Sequence, residues 1–272
     1  MSESDYAFAD RVHEQRRLAS QAVGFDPLTE RVFQAAGIGV GMRVLDLGSG
    51  AGDVAMLAAR LVGPEGEVVG VERDPAAVAS ATDRVKRAGV DNVRFIEGDA
   101  QTLEQVTGVF DAAVGRLVLM YLPDPVEALR RAAAAVRPGG LVCLHEGDMT
   151  YDWAFPMTPL WTQMRAWFVE ALERTNVATR MGLSLYPAFL AAGLPAPELR
   201  IECGAGGGEQ ARAWGWANVM RGVLPLLERL GIATAEELEP DTLVDRLEED
   251  LRAADGIVIW PPMVGAWSRK PG

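Results

Sequence analysis

The stretch that most constrains this chain is Val44-Leu45-Asp46-Leu47-Gly48-Ser49-Gly50-Ala51-Gly52-Asp53. Apolar Val44, Leu45 and Leu47 suit a short strand covered on both faces, as in a parallel sheet. The glycines that follow allow a turn with positive φ and let a ligand approach the backbone closely. Residues 53–62, rich in Ala and Leu, then read as a helix whose amino end points at that ligand. The spacing is GxGxG rather than the GxGxxG of dinucleotide sites, and an acid, Asp53, sits at the helix mouth. Both features count against a bound pyrophosphate, and so against an NAD-type oxidoreductase, the alternative enzyme class for such a loop.

Around this stretch strand and helix alternate: strand 43–47, helix 53–62, strand 67–72, helix 75–88, strand 93–97, strand 110–115, helix 125–136 and strand 140–146. The short connections predict an α/β fold with a doubly wound, mostly parallel sheet. Four further segments stand out. Val69-Gly70-Val71-Glu72-Arg73-Asp74 reads as a strand ending in an acid, and Phe95-Ile96-Glu97-Gly98-Asp99-Ala100 as another. Phe110 to Arg116 leads into Tyr121-Leu122-Pro123-Asp124-Pro125, and Val136-Arg137-Pro138-Gly139-Gly140-Leu141-Val142 makes a turn into the next strand. In this order, over roughly residues 40–146, the segments closely resemble the motifs of the class I S-adenosylmethionine-dependent methyltransferases of the small-molecule type.

That resemblance implies a Rossmann-like sheet of seven strands, S-adenosylmethionine as cofactor and S-adenosylhomocysteine as product. It implies that the backbone around Gly48, Ser49, Gly50 and Gly52 embraces the methionine portion, and that Asp46 engages its ammonium. Glu72 is expected to accept the ribose hydroxyls. Asp99 is expected to accept the adenine amino hydrogen, with the Ala100 amide facing the ring. Arg73 either lies along the adenine or is solvated, and Gln101 is a further cofactor candidate. A carbonyl near Gly115 or Arg116 is expected to face the sulfonium.

Pockets in open α/β sheets lie beyond the carboxyl ends of the strands. This places Arg116, Tyr121, His145, Glu146 and Asp148 near the acceptor, with Arg116, Tyr121, His145 and Glu146 as the candidate catalytic set. Alternation along the strand sends His145 and Glu146 to opposite faces, so only one enters the pocket. Glu146 is preferred as proton acceptor, and the plain alternative for His145 is a satisfied structural histidine. Tyr121 stands where many members of the resembled family carry His, which weakens the case for a base there.

The expected organisation is an N-terminal helical lid at 1–36, a cofactor-binding core at 37–148, a first cap insertion at 149–182, core again at 183–205, a second helical cap at 206–256 and a final core strand at 257–272. The lid reads as two helices interrupted at Pro27. Its His13, Glu14, Arg17 and Gln21 form either a solvated face or a contact to cofactor, with Gln21 the cofactor candidate. Helix 183–193 is expected to turn Leu183, Leu185, Phe189 and Leu190 inward, with strand 198–203 after it. Gly204 to Gly208 reads as a flexible joint, followed by helices 209–222, 224–230 and 240–255. Trp260-Pro261-Pro262 is expected to break the final strand. Trp153, Phe155, Trp161, Trp214 and Trp216 are either cap core or an aromatic wall for a planar acceptor.

Charge narrows the partners. Of 272 residues, 38 are Asp or Glu and 26 Lys or Arg, a net charge of −12 that disfavours nucleic acid and anionic membranes. No apolar run is long enough to cross a bilayer, and with Cys143 and Cys203 in no metal-ligand spacing a cytoplasmic location and no metal are expected. A homodimer through exposed cap surface stays open. The expected function is methyl transfer to the O, N or C of a small apolar or aromatic metabolite, as in natural-product biosynthesis. A non-catalytic protein that keeps the fold is the other alternative, disfavoured by the intact acids Glu72 and Asp99.

Overall fold

The structure, a computed structural model, describes residues 11–208 and 215–272, with side chains from Gly24 onward. The expectations for His13, Glu14, Arg17 and Gln21, and for Trp214, therefore lie outside the described side chains. In chain order the elements begin α1 (Arg11–Ala36), β1 (Arg43–Leu47), α2 (Asp53–Val62), β2 (Glu67–Glu72), α3 (Pro75–Arg87), β3 (Val93–Glu97) and β4 (Phe110–Arg116). A single 3₁₀ turn (Leu119–Tyr121) precedes α4 (Pro125–Ala135) and β5 (Val136–Gly147). Then come β6 (Ala154–Phe155), α5 (Pro159–Arg174), α6 (Met181–Ala191), β7 (Glu198–Glu202) and β8 (Ala205–Gly207). The chain continues with α7 (Trp216–Arg229), α8 (Ala235–Leu238), α9 (Leu243–Ala253), β9 (Ile257–Ile259) and β10 (Met263–Arg269).

The chain divides into two compact units. Among the described residues, the core comprises Asp26–Gly147, Arg180–Glu202 and Met263–Gly272, and the cap Asp148–Thr179 and the described part of Cys203–Pro262, with Arg11 to Phe25. The core sheet has the order β3-β2-β1-β4-β5-β10-β7. Its first five strands are parallel, and β10 runs antiparallel to both β5 and β7. The winding reverses between β1 and β4, the switch point at which open α/β sheets take ligands. Val44, Leu45, Leu47, Val68, Val69, Val71, Ala112, Val114 and the run Leu141 to Leu144 are buried, which is why these strands read as continuous apolar stretches. Leu57, Ala58 and Val62 of α2 join Val32 and Phe33 of α1 and Trp267 of β10 in one apolar cluster. Each large side chain so buried contributes about 1.5–3 kcal/mol.

Several expectations are corrected here. Pro27 does not end a helix: α1 runs through it. Phe25, Leu28, Val32 and Phe33 on either side are all buried, and that packing outweighs the hydrogen bond lost at proline. In α6 only Leu185 and Phe189 turn inward, while Leu183 and Leu190 are exposed. Nearly every residue of α6 is apolar, so its periodicity carries little phase.

The cap has its own three-stranded sheet, in the order β6-β9-β8. Residues 205–207 are thus not a joint but a strand, paired with Ile257 to Ile259. The stretch 257–262 belongs to the cap, and the final core strand begins at Met263. The break at Trp260-Pro261-Pro262 separates the two. The expected helices 209–222 and 224–230 are, within the described residues, one helix that passes through Pro225. The cap interior is aromatic: Trp153 is fully buried, stacks on Trp216 with ring centroids 3.4 Å apart, and meets the edge of Phe168 at 5.3 Å. No helix among the described residues is long and apolar enough to cross a membrane, and none of their His, Cys, Asp and Glu groups could hold a metal.

Candidate active site

Strand register brings the sequence-selected residues to one end of the core sheet. Asp46 pairs with Gly70 and Val114, Leu47 with Val71 and Gly115, and Arg116 with His145, so the carboxyl ends of β1, β2, β4 and β5 line up. Glu72 ends β2 beside Glu97 of β3, two residues before Asp99. The turn after β1 is shaped by Gly48 at φ 60° and Gly50 at φ 50°. A Cβ on Gly48 would lie 2.5 Å from Val118 Cγ2, whereas one on Gly50 would meet nothing within 4 Å. Glycine is therefore required at 48 by packing and by φ, but at 50 by φ alone.

No side chain caps the amino end of α2, so its first amides are left for other partners. Asp46 is fully buried, and neither of its carboxylate oxygens has a hydrogen bond; the Ala55 amide acts on it only weakly. Burial holds the Asp46 carboxyl well above its ordinary range, with Arg116 opposing and Glu72 and Asp53 adding to the rise. Ser49 Oγ is likewise buried without a partner. Glu72 is half-buried and accepts the Gly50 amide at Oε2 and the Asp74 amide at Oε1, both at 3.0 Å. A carboxylate has about four acceptor positions, so these two bonds leave capacity for further donors. Asp99 and Arg73 are exposed, and Ala100 is buried. Asp99 Oδ1 accepts the Gln101 amide at 2.8 Å. The Gln101 side chain exchanges two hydrogen bonds with the Asp124 backbone, which ties it to the loop after β4.

The candidate catalytic residues are held differently from expectation. The Arg116 guanidinium turns to α1, donating to Asp26 Oδ1 at 2.8 Å and to Thr29 Oγ1 at 3.0 Å. Thr29 Oγ1 also lies 3.0 Å from His145 Nδ1. Burial, with help from Arg116, pushes the His145 pKa down to about 3, so the ring is neutral at ordinary pH. Glu146 is fully buried; its Oε1 accepts the amides of Val118 and Leu119, each at 2.9 Å, and its Oε2 has no partner. Burial raises its carboxyl to about 7 against the pull of those amides. Both His145 and Glu146 are therefore inside the protein, where alternation had suggested that one would face a pocket. Tyr121 is half-buried in the 3₁₀ turn.

Sequence reasoning missed several residues that shape this end of the sheet. Arg84 of α3 donates to Ala51 O at 3.0 Å and pairs with Asp53 at 2.6 Å, pinning the glycine turn. Asp26 and Thr29 anchor Arg116, and their i,i+3 spacing on α1 was the one available signal. Leu117, at φ 52°, and Val118 have no sequence signature.

A family model described as "Methyltransferase domain" matches residues 38–187, more than half of the chain. The chain belongs to the class I S-adenosylmethionine-dependent methyltransferases. This sets aside the dinucleotide alternative. Among curated relatives, the ubiquinone/menaquinone biosynthesis C-methyltransferase UbiE of Idiomarina loihiensis is 34% identical over 115 residues, 42% of this chain and 46% of that protein. The arsenite methyltransferase of Halobacterium salinarum is 32% identical over 121 residues, 44% of this chain and 30% of that protein. The match thus spans about half or less of each relative's length. The crystal structure of the YcgJ protein from Bacillus subtilis superposes with a TM-score of 0.55 at 19% identity, covering 88% of this chain and 96% of that one; this likeness concerns the fold.

The site fits the donor that this methyltransferase family uses. An ammonium would satisfy the partnerless Asp46 carboxylate, and ribose hydroxyls the remaining capacity of Glu72.

Proposed function

We propose that this protein transfers a methyl group from S-adenosylmethionine to a small cyclic, largely apolar metabolite. The observation that carries the reading is Asp46: a wholly buried carboxylate without a hydrogen bond, between a glycine turn and a second acid at the end of the next strand. An isolated buried carboxylate is costly unless a cation or donor meets it. When bound, the donor supplies an electrophilic methyl group on sulfur. The residues of this chain then have four tasks. Asp46 holds the ammonium, and the backbone around Gly48–Gly52, with the amino end of α2, embraces the rest of the methionine portion. Glu72 accepts the ribose hydroxyls. Asp99 and the Ala100 amide read the adenine, with Gln101 fixing the neighbouring loop and Arg73 at the rim. A carbonyl near Gly115 or Arg116 faces the sulfonium.

Alignment and exclusion of water carry the acceptor step in this reading. His145 is neutral and bonded to Thr29, and Glu146 is occupied by backbone amides, so neither takes a proton in this reading; Tyr121, in the 3₁₀ turn after β4, is the candidate for orienting an acceptor. Relatives named for ubiquinone, menaquinone and demethylmenaquinone, one of them a C-methyltransferase, support a quinone-type ring as acceptor. Arsenite, named for another relative, is a thiophile, and this chain has two cysteines. Cys143 is buried in β5 with its thiol pushed up by burial, and Cys203 is exposed. In this reading the protein is cytoplasmic.

Calorimetry tests the donor half. S-adenosylmethionine and S-adenosylhomocysteine are expected to bind, NAD is not, and Glu72→Ala is expected to weaken both by about 1.5–3 kcal/mol through loss of charge-assisted hydrogen bonds. No heat with either ligand would overturn the reading. Labelled donor with a panel of quinols, phenols, indoles, amines and arsenite then reports which atom receives the methyl group.

A further inference from the structure

We propose that Glu146 is a positioning residue that shapes the donor side of the site through Val118, rather than the proton acceptor its place in the strand suggests. A position buried to this degree in a central strand would ordinarily be apolar, so an acid there needs a reason. The reason lies in the loop after β4. Leu117 takes a left-handed conformation, φ 52°, which is strained for a residue with a side chain. Consecutive residues of β5 hold that bend. The His145 carbonyl accepts the Leu117 amide at 3.0 Å, and Glu146 Oε1 accepts the next two amides, of Val118 and Leu119, at 2.9 Å each. Val118 is the cap residue of the 3₁₀ turn and has no side-chain cap of its own. Glu146, 28 residues away in sequence, supplies it.

The bend has a consequence for the glycine turn. It drives the Val118 side chain against two glycines at once. Its Cγ2 lies 2.5 Å from where a Cβ on Gly48 would stand, and its Cγ1 2.9 Å from where one on Gly115 would stand. These two glycines flank the partnerless Asp46 through the register Leu47 with Gly115. Val118 therefore fixes the backbone that is to face the methionine end of the donor, and Glu146 fixes Val118. Only the identity of the donor rests on the proposed function; the loop geometry does not.

The test compares Glu146→Gln, which keeps an acceptor for both amides, with Glu146→Leu, which keeps the bulk but no acceptor, and with Val118→Ala. Amide hydrogen exchange of residues 117–121 is measured on the protein alone, and S-adenosylmethionine and S-adenosylhomocysteine binding by calorimetry. In Glu146→Leu, exchange at Val118 and Leu119 is expected to speed up and donor binding to weaken about tenfold, the scale set by leaving buried amides without a partner. Val118→Ala is expected to weaken donor binding similarly, and the double variant no more than Glu146→Leu alone. Glutamine is expected to rescue slow exchange, donor affinity and turnover together. Turnover lost in Glu146→Gln with donor affinity intact would instead identify a proton acceptor and overturn the proposal. So would unchanged donor affinity in Val118→Ala, which decides the matter if Glu146→Leu does not fold. If the parent protein binds neither ligand, the methyl-transfer reading fails, while the exchange comparison still decides what Glu146 does to the loop.

Discussion

Replacing Glu146 by glutamine should uncover a pH dependence that its neighbour now conceals. Burial lifts the Glu146 carboxyl from 4.5 to about 7. As pH rises through that range the unfolded chain ionises first, so the native state falls behind by about 1.4 kcal/mol per pH unit, roughly 3 kcal/mol in all. His145 works in the opposite sense. Burial and Arg116 bring it from 6.5 to about 3, so the unfolded chain takes up its proton first as pH falls. Its contribution to stability is complete above pH 6.5 and is lost toward pH 3, again by about 1.4 kcal/mol per unit. Between pH 4.5 and 6.5 the two slopes oppose each other, and the pair adds almost no pH dependence. Glu146→Gln removes one of them. Its stability relative to the parent should climb by roughly 3 kcal/mol from pH 4.5 to 7. Asp46 is raised in the same direction as Glu146, and Glu67 and Asp111 are lowered, but all three are present in both proteins and drop out of the difference. Urea unfolding followed by far-ultraviolet circular dichroism at several pH values across this range is the assay. His145→Gln is the mirror control, losing ground to the parent as pH rises. A constant offset between Glu146→Gln and the parent would refute the reasoning, because it would mean that the carboxyl titrates alike in the folded and unfolded chains.

The glycine turn and the cap give two further predictions. Gly48→Ala should destabilise by more than Gly50→Ala, since both force a left-handed alanine at about 1 kcal/mol but only the first collides with Val118; equal thermal shifts would contradict this. Trp153→Ala should cost about 3–5 kcal/mol of stability by emptying the stack with Trp216 and Phe168, and leave donor affinity within about twofold. A much smaller loss in urea would mean the cap repacks, and a changed acceptor profile in a folded variant would revive the aromatic wall.

The core strands were legible because parallel strands buried on both faces print themselves as apolar runs, and they set Glu72 at the end of β2 and Asp99 two residues past β3. The surroundings of His145, Glu146 and Arg116 were not. Alternation does assign His145 and Glu146 to opposite faces, but in this sheet both faces are covered, so neither reaches solvent. The partners of Arg116 lie in α1, 87 and 90 residues away, a distance over which spacing carries no information. Gly204 to Gly208 read as a joint because glycine has weak strand propensity; main-chain pairing with β9 overrode it. Pro27 misled for the same kind of reason, a local rule set aside by tertiary packing.

The place of β10 has a consequence for the order in which the molecule can be made. It follows both β5 and β7 in sequence, yet in the sheet it lies between them, pairing Met263 with both Gly147 and Glu202. A ribosome delivers β5 and β7 well before it delivers the strand that joins them. Until then β5 presents a bare edge and β7 has no neighbour. A nascent chain halted before Met263 should therefore be sticky and protease-sensitive, and its rescue should need only the addition of Met263–Arg269 in trans.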